Sequence, residues 1–509
     1  MKRSSSTPKP TNTWNGSTAK TPERGGGKPP PSAGAEAGPL AAPATPPGYG
    51  AYAEAYGNRD VTFHFRGLDF RFVLSQGLFS SADIDRGTRA LLKVFSRLLD
   101  EDLAQRRPLP CRVLDSGCGI GVIGICAARA LQEAAGNGGA AGLQVRAQDR
   151  DELARILSHW NALRNGLGDA VFQARTEPLL AGEETWDLIL SNVPAKAGEP
   201  VLEDFISRSA LSLRPGGRAI IVVVNTLAPF FQDQLKGLAS AGLASGPTLV
   251  REGTEHQVLV YGGPAVPAAR HSGAPPPDPA PGLPGSPACA PRPPLWRSRP
   301  FYLRNRAAYE MEGISYGISA VYGAAEFDRP GAEVESAAAL LVRLGPRLFG
   351  KAGPPFLIHE GGQGHFPLWL LLFLERKGLA VPETLLLHGR NILALEAARG
   401  NIIESALTVK PALLVTPGVG LDRESPAALM GPIAPGAGFI AAFPRILART
   451  EPYAALWEAL RTLLLPGAVA LFSLPATQAD RLDRRKPGGF TRLGDLKRHG
   501  FRALAYRGA

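Results

Sequence analysis

Between residues 111 and 225 the chain alternates short apolar runs with stretches of helical period. "CRVLD" is an apolar run ending in Asp115, and "VIGICAARALQEAA" follows with a 3.6-residue repeat. "LQVRAQD" ends in Asp149 and leads into "RDELARILSHWNALRNG", with Gly166 past the helix end. "AVFQART" and "TWDLILSN" are further strands, then "PVLEDFISRSALSLRPGG" is a helix and "RAIIVVVN" a strand. Strand and helix in alternation predict a parallel sheet covered on both faces. Ligands of such sheets bind beyond the carboxyl ends of the strands. Asp115, Asp149 and Asn192 each stand at such an end.

At 509 residues the chain calls for two or more domains. Residues 1–55 are rich in Pro, Gly, Ser, Thr and Ala and are expected to be a disordered basic tail; residues 263–299 have a similar composition and read as a linker. Two blocks remain, 56–262 and 300–509. No run reaches the roughly eighteen uninterrupted apolar residues of a membrane helix. "FPLWLLLFLERKGLAV", broken by Glu375, Arg376 and Lys377, is a buried helix. The four cysteines have neither CxxC nor metal-ligand spacing, so reduced cytoplasmic thiols and no metal are expected. The net charge of +11 favours a polyanionic partner.

The first strand end reads "LDSGCGIG", with Gly117, Gly119 and Gly121 after Asp115. Glycines let the backbone turn tightly and approach a ligand without a Cβ in the way. A carboxylate beside the loop disfavours a pyrophosphate and suits an ammonium group, so S-adenosylmethionine fits better than a dinucleotide. Asp149 can accept hydrogen bonds from a ribose diol, or can cap the helix that follows. Glu177, after "AVFQART", is placed near an adenine or on a surface loop. "SNVPAKAG" leaves the next strand with Asn192, Val193 and Pro194. An amide or exocyclic nitrogen is a poor nucleophile because its lone pair is delocalised. The Asn192 side-chain oxygen and the Val193 carbonyl can accept its two N–H bonds and turn the lone pair toward a methyl donor. Pro194 fixes that carbonyl and biases Val193 to an extended backbone. No strong general base is needed, and no histidine stands near in sequence. A plain turn is the other explanation of "NVP".

Residues 60 to 261 resemble the small-domain class I methyltransferases, the family that includes ribosomal-RNA guanine-N2 methyltransferases. "LSQGLFSSADIDRGTRALL" is similar to the family's leading segment, through Gly77, Phe79, Ser80, Asp85, Gly87 and Thr88. "VLDSGCGIG" is similar to its cofactor loop and "SNVPAKAG" to its Asn-Pro-Pro motif. The resemblance implies an S-adenosylmethionine-dependent N-methyltransferase acting on guanine N2 of ribosomal RNA. Phe79, Asp115, Gly117, Gly119, Gly121 and Asp149 would contact the cofactor, and Asn192 would hold the amine. Val193 replaces the motif's first proline, and Ala195 stands where many members have a base-stacking aromatic. A protein glutamine or small amine as substrate, or a non-catalytic RNA-binding scaffold, remain alternatives.

The second block repeats the first. "FLIHEGGQGHF" parallels the cofactor loop, with Glu360, Gly362 and Gly364 set against Asp115, Gly117 and Gly119. Gly389 stands for Asp149, and "ALLVTPGVG" is set against "LILSNVPAK", with Pro417 at the asparagine position. The expected fold class is therefore α/β: two tandem Rossmann-like methyltransferase domains, the second degenerate. Its basic C-terminal stretch, including Arg484, Arg485, Lys486, Arg492, Lys497 and Arg498, is either an RNA contact or a solvated surface.

Overall fold

The computed structural model describes residues 49–265 and 293–509, apart from 80, 140–141, 181, 183, 327, 350–352, 406, 418–435 and 448–451. The expected disorder of residues 1–48 and most of the linker therefore lies outside the described residues, as does Ser80. The last part of the expected tail is ordered: Tyr49–Tyr56 is a helix. Its tyrosines at helical spacing supply what the Pro- and Gly-rich composition hid. Tyr49 stacks on His159 at 4.6 Å, and Tyr52 and Ala53 are buried.

A hairpin of β1 (Gly57–Phe65) and β2 (Leu68–Ser75) opens the first half. The helix Arg86–Ala104 follows, its apolar face carried by Leu91, Leu92, Phe95 and Leu99. The central strands are β3 (Arg112–Ser116), β4 (Gln144–Asp149), β5 (Phe172–Thr176), β6 (Trp186–Asn192) and β7 (Leu213–Val224), closed by β8 (Ser245–Glu252) and β9 (His256–Gly262). The sheet order is β5-β4-β3-β6-β7-β9-β8. The first five strands are parallel; β9 and β8 add an antiparallel edge that the alternating pattern did not announce. The switch point falls between β3 and β6, where crossovers leave in opposite directions.

The second half repeats this plan. Its hairpin is β10 (Leu303–Met311) with β11 (Ile314–Val321), and its strands are β12 (Phe356–His359), β13 (Thr384–Gly389), β14 (Lys410–Val415), β15 (Ala437–Ala442), β16 (Leu464–Pro475), β17 (Phe490–Arg498) and β18 (Phe501–Gly508). Their order, β14-β13-β12-β15-β16-β18-β17, matches the first half strand for strand. The apolar run around Trp369 is the buried helix His365–Arg376. No helix among the described residues is long and apolar enough to cross a membrane.

The pairing corrects two sequence correspondences. Gly117 N donates to the Gln148 carbonyl, and Glu360 N donates in the same way to the His388 carbonyl. Glu360 thus occupies the place of Gly117, and Ile358 that of Asp115. Matching acid to acid had shifted the register by two. Likewise β15, not β14, is the counterpart of β6, since Ala441 pairs with Ile358 as Leu190 pairs with Asp115. Two residues further on, Phe443 stands in the place of Asn192. Pro417 instead accepts a hydrogen bond from Tyr56 of the first half, at 2.9 Å.

Candidate active site

Gly117, Gly119 and Gly121 have φ of 73°, 53° and 87°, a region that side chains resist. The three do different work. A Cβ on Gly119 would meet nothing within 4 Å, so that face of the loop is open. Gly119 N donates to Asp149 Oδ2 at 3.1 Å. A Cβ on Gly117 would lie 3.5 Å from Leu179. Gly121 faces the other way, with a Cβ 2.9 Å from that of Ser158, so it lets two helices approach. Gly117 and Gly119 line a cavity of about 680 Å³; Gly121 does not.

Asp115 does not reach that cavity either. It is fully buried beneath the loop, where Oδ2 accepts from Gly124 N at 2.8 Å. Its side chain falls on the interior of the β3 turn, so it braces the loop and cannot meet an ammonium directly. Burial pushes its carboxyl up to about 7, against the Gly124 N–H, and the nearby Asp149 adds to the rise. Among the described residues its Oδ1 has no hydrogen-bond partner. Glu177 is also off the cavity: its backbone N–H donates to the Asp149 carbonyl, and its carboxylate turns toward Arg175. The neighbouring Leu179 lines the cavity in its stead.

Asp149 does line it. Besides Gly119, it accepts from Asp151 N at 3.1 Å, and burial raises its carboxyl. The helix cap is Asp151, whose side chain accepts from Leu153 N, so capping does not account for Asp149.

Asn192 ends β6 at the same cavity. Its Nδ2 donates to Asp85 Oδ2 at 2.9 Å and to Thr88 Oγ1 at 3.3 Å. Asp85 is itself fixed, because it caps the helix Arg86–Ala104 by accepting from Gly87 N and Thr88 N. Both amide protons are thereby engaged, and no protein donor among the described residues takes Asn192 Oδ1. The side-chain oxygen of this cavity-lining residue is thus left as a free acceptor among the described residues. The Val193 side chain is buried and its N–H donates to the Val222 carbonyl at 3.0 Å, while Pro194 closes a turn through its carbonyl and Ala197 N. Phe79 lines the cavity and is 73% exposed, unusual for so large an apolar residue.

Several wall residues escaped the sequence reading. His256, at the start of β9, lies beside Gly87 and lines the cavity, so a histidine is near in space although distant in sequence. Tyr302, Leu393, Ala394, Arg390 and Arg445 come from the second half, which only the tertiary structure reveals. Asp85 carried a signal: an acid directly before a helical run reads as a cap. Among the described residues no group of three or more His, Cys, Asp or Glu is placed to hold a metal.

The corresponding turn of the second half, through Glu360, Gly361, Gly362 and Gly389, lines the same cavity but with different groups. A Cβ on Gly362, the counterpart of Gly119, would collide with the Glu326 carboxylate. Glu326 accepts from Gly331 N at 2.9 Å, and burial pushes its carboxyl up to about 7. Gly389 stands in the place of Asp149, and the Glu360 carboxylate lies beside it and accepts from Arg390 N at 2.9 Å. Of the C-terminal basic residues, Arg492 pairs with Asp483 and Arg498 with Glu312, both at 2.8 Å, and Lys486 donates to the Phe490 carbonyl.

A doubly wound sheet with an open glycine turn, an acid ending the adjacent strand and an asparagine at the switch point defines the class I methyltransferase architecture. Residues 69–237 match the family model of the methyltransferase small domain. An uncharacterised Bacillus subtilis protein, YbxB, is 28% identical over 163 residues, 32% of this chain and 72% of its own length. The ribosomal RNA small subunit methyltransferase C of Chromohalobacter salexigens is 30% identical over 158 residues, 30% of this chain and 41% of that protein. The chain thus spans less than half of that curated methyltransferase. The fold is similar to a solved T. thermophilus 16S rRNA N2 methyltransferase in complex with AdoMet and guanosine (TM-score 0.53, 17% identity, 90% of this chain and all of that one).

Proposed function

We propose that the chain is an S-adenosylmethionine-dependent N-methyltransferase acting in the cytoplasm on the exocyclic N2 of guanine in ribosomal RNA. The observation that carries this reading is Asn192, whose amide is held by Asp85 and Thr88 so that its side-chain oxygen is left as a free acceptor among the described residues. The cofactor, when bound, supplies an electrophilic methyl carbon on a sulfonium. The cavity suits a ligand of that size. Gly119 offers a loop no Cβ obstructs, and Asp149 offers a carboxylate to ribose hydroxyls. Asn192 Oδ1 and the Val193 carbonyl would accept the two N–H bonds of the target amine and direct its lone pair, stabilising positive charge as it develops on nitrogen. The ring of the exposed Phe79 would give a base its stacking face, in place of the aromatic missing at Ala195. The small-subunit enzymes among the relatives support ribosomal RNA as the substrate. Incubation with methyl-labelled S-adenosylmethionine and unmethylated small-subunit RNA, followed by nucleoside digestion, should yield labelled N2-methylguanosine. Label in protein, or in no nucleoside, would refute the substrate assignment.

A further inference from the structure

The walls of this cavity belong to both halves, and the two halves meet through counterpart turns. Glu152 N donates to the Arg390 carbonyl at 2.9 Å and Ile392 N to the Arg150 carbonyl at 3.0 Å, with Asp151 facing Asn391 between them. The turn after β4 and the turn after β13 therefore pair about a local twofold axis. At the centre stands Arg390. Its Nη2 donates to the Gly77 carbonyl at 2.7 Å and pairs with Asp151 Oδ2 at 3.0 Å. Side-chain exposure is only 18% for Arg390 and 17% for Asp151, so the charges are largely withdrawn from water. A buried pair of this kind is poor glue, since desolvation offsets much of its attraction, whereas a guanidinium with two fixed acceptors sets geometry well. Apolar contacts already hold the halves together: Leu393, Ala397, Tyr302 and Val321 share one core with Val201, Leu202 and Phe205.

Both acceptors of Arg390 belong to segments that build the first-half cavity. Gly77 begins the loop that carries Phe79. Asp151 caps the helix Glu152–Arg164 and donates its own N–H to Asp149 Oδ1. A Cβ on Gly77 would come within 3.0 Å of the guanidinium, so the loop rests directly on it. The reverse contact exists: Arg150 lies against Gly323, the counterpart of Gly77, in a half where Glu326 lies against Gly362 and Gly389 stands in place of Asp149.

We propose that the second half completes the cofactor site of the first, with Arg390 as a positioning residue that holds the Gly77–Phe79 loop and the Asp149–Asp151 turn in register, and with Leu393 and Ala394 as part of the wall. This rests on reading the first-half cavity as the cofactor site. It gives the degenerate half a task that needs no catalytic residue of its own.

The test uses the full chain and S-adenosylhomocysteine, with calorimetric affinity, hydrogen exchange over residues 76–79 and thermal unfolding as readouts. Arg390→Ala should weaken binding tenfold or more and speed exchange in that loop. The KM for cofactor should rise by more than kcat falls. Arg390→Lys keeps a charge for Asp151 but reaches both acceptors poorly, and should recover part of the affinity. Wild-type affinity and exchange in Arg390→Ala, with only a lower melting temperature, would overturn the proposal. If Arg390→Ala does not fold, wild-type affinity in Arg390→Lys would overturn it equally. Failure of the wild-type chain to bind S-adenosylhomocysteine would instead sink the cofactor reading itself, and this inference with it.

Discussion

The two halves share their strand order and the glycines of the first turn, yet differ where the strands end. In the first half, β4 ends in Asp149 and β6 in Asn192, and the loop between them is open. In the second, the corresponding positions hold Gly389 and Phe443, and Glu326 and Glu360 lie against the glycines Gly362 and Gly389. The comparison teaches that the same sheet and apolar layers form with or without those polar groups. Both halves bury full cores, with Phe72, Phe95 and Phe205 in one and Trp369, Phe366 and Trp457 in the other. A core cannot distinguish an enzyme from a scaffold; the polar groups at the carboxyl edge can.

The largest expected effect lies at Asn192. Asn192→Ala should lower turnover a hundredfold or more while leaving S-adenosylhomocysteine affinity nearly intact, since it removes an acceptor needed only as charge develops on the target nitrogen. Steady-state kinetics beside calorimetry separate the two. Turnover near wild type would reduce "NVP" to a turn and erase the main difference between the halves.

A smaller effect is expected one contact away. Asp85→Ala frees the Asn192 amide to rotate and removes a helix cap. Turnover should fall by about tenfold, and stability by about 1 kcal/mol, measured by urea unfolding. A stability loss with unchanged turnover would mean that Asn192 is oriented by something other than Asp85.

The smallest effect on activity concerns the acid beside Gly362 in the second half. Glu326 has its carboxyl raised from 4.5 to about 7 by burial. Between those values the folded chain holds a proton that the unfolded chain releases, so stability falls as pH rises through this window and levels off above it. Glu326→Gln should flatten that decline, by on the order of 3 kcal/mol at most, without altering methyl transfer. Asp115 and Asp151, both raised to about 7, act in the same direction, so the slope should shrink rather than vanish. An unchanged slope in pH-dependent denaturation would show that Glu326 is not buried as an acid.

Much of the site was legible in the sequence. An acid or amide ending a strand is visible wherever an apolar run stops, which is how Asp149 and Asn192 stand out. What sequence does not carry is which side of a turn a residue faces. Asp115 and Gly121 belong to the same motif as Gly119, but one lies under the loop and the other against Ser158. Register failed where chemistry was matched instead of pairing: Glu360 resembles Asp115 but hydrogen-bonds as Gly117 does. The Phe443 counterpart of Asn192 was missed because β14 and β15 are both short and apolar, and only the strand pairing tells which of them lies beside β12. The contribution of Arg390 depends on contacts between residues some three hundred positions apart, which no local pattern encodes.

The central claim is that one chain carries one working cofactor site, built on the first half. Calorimetric titration of the intact protein with S-adenosylhomocysteine tests it most directly, alongside Asp149→Ala. The account predicts a stoichiometry of one and loss of that binding in the variant. Two sites per chain, or a single site whose affinity is unchanged in Asp149→Ala, would contradict it.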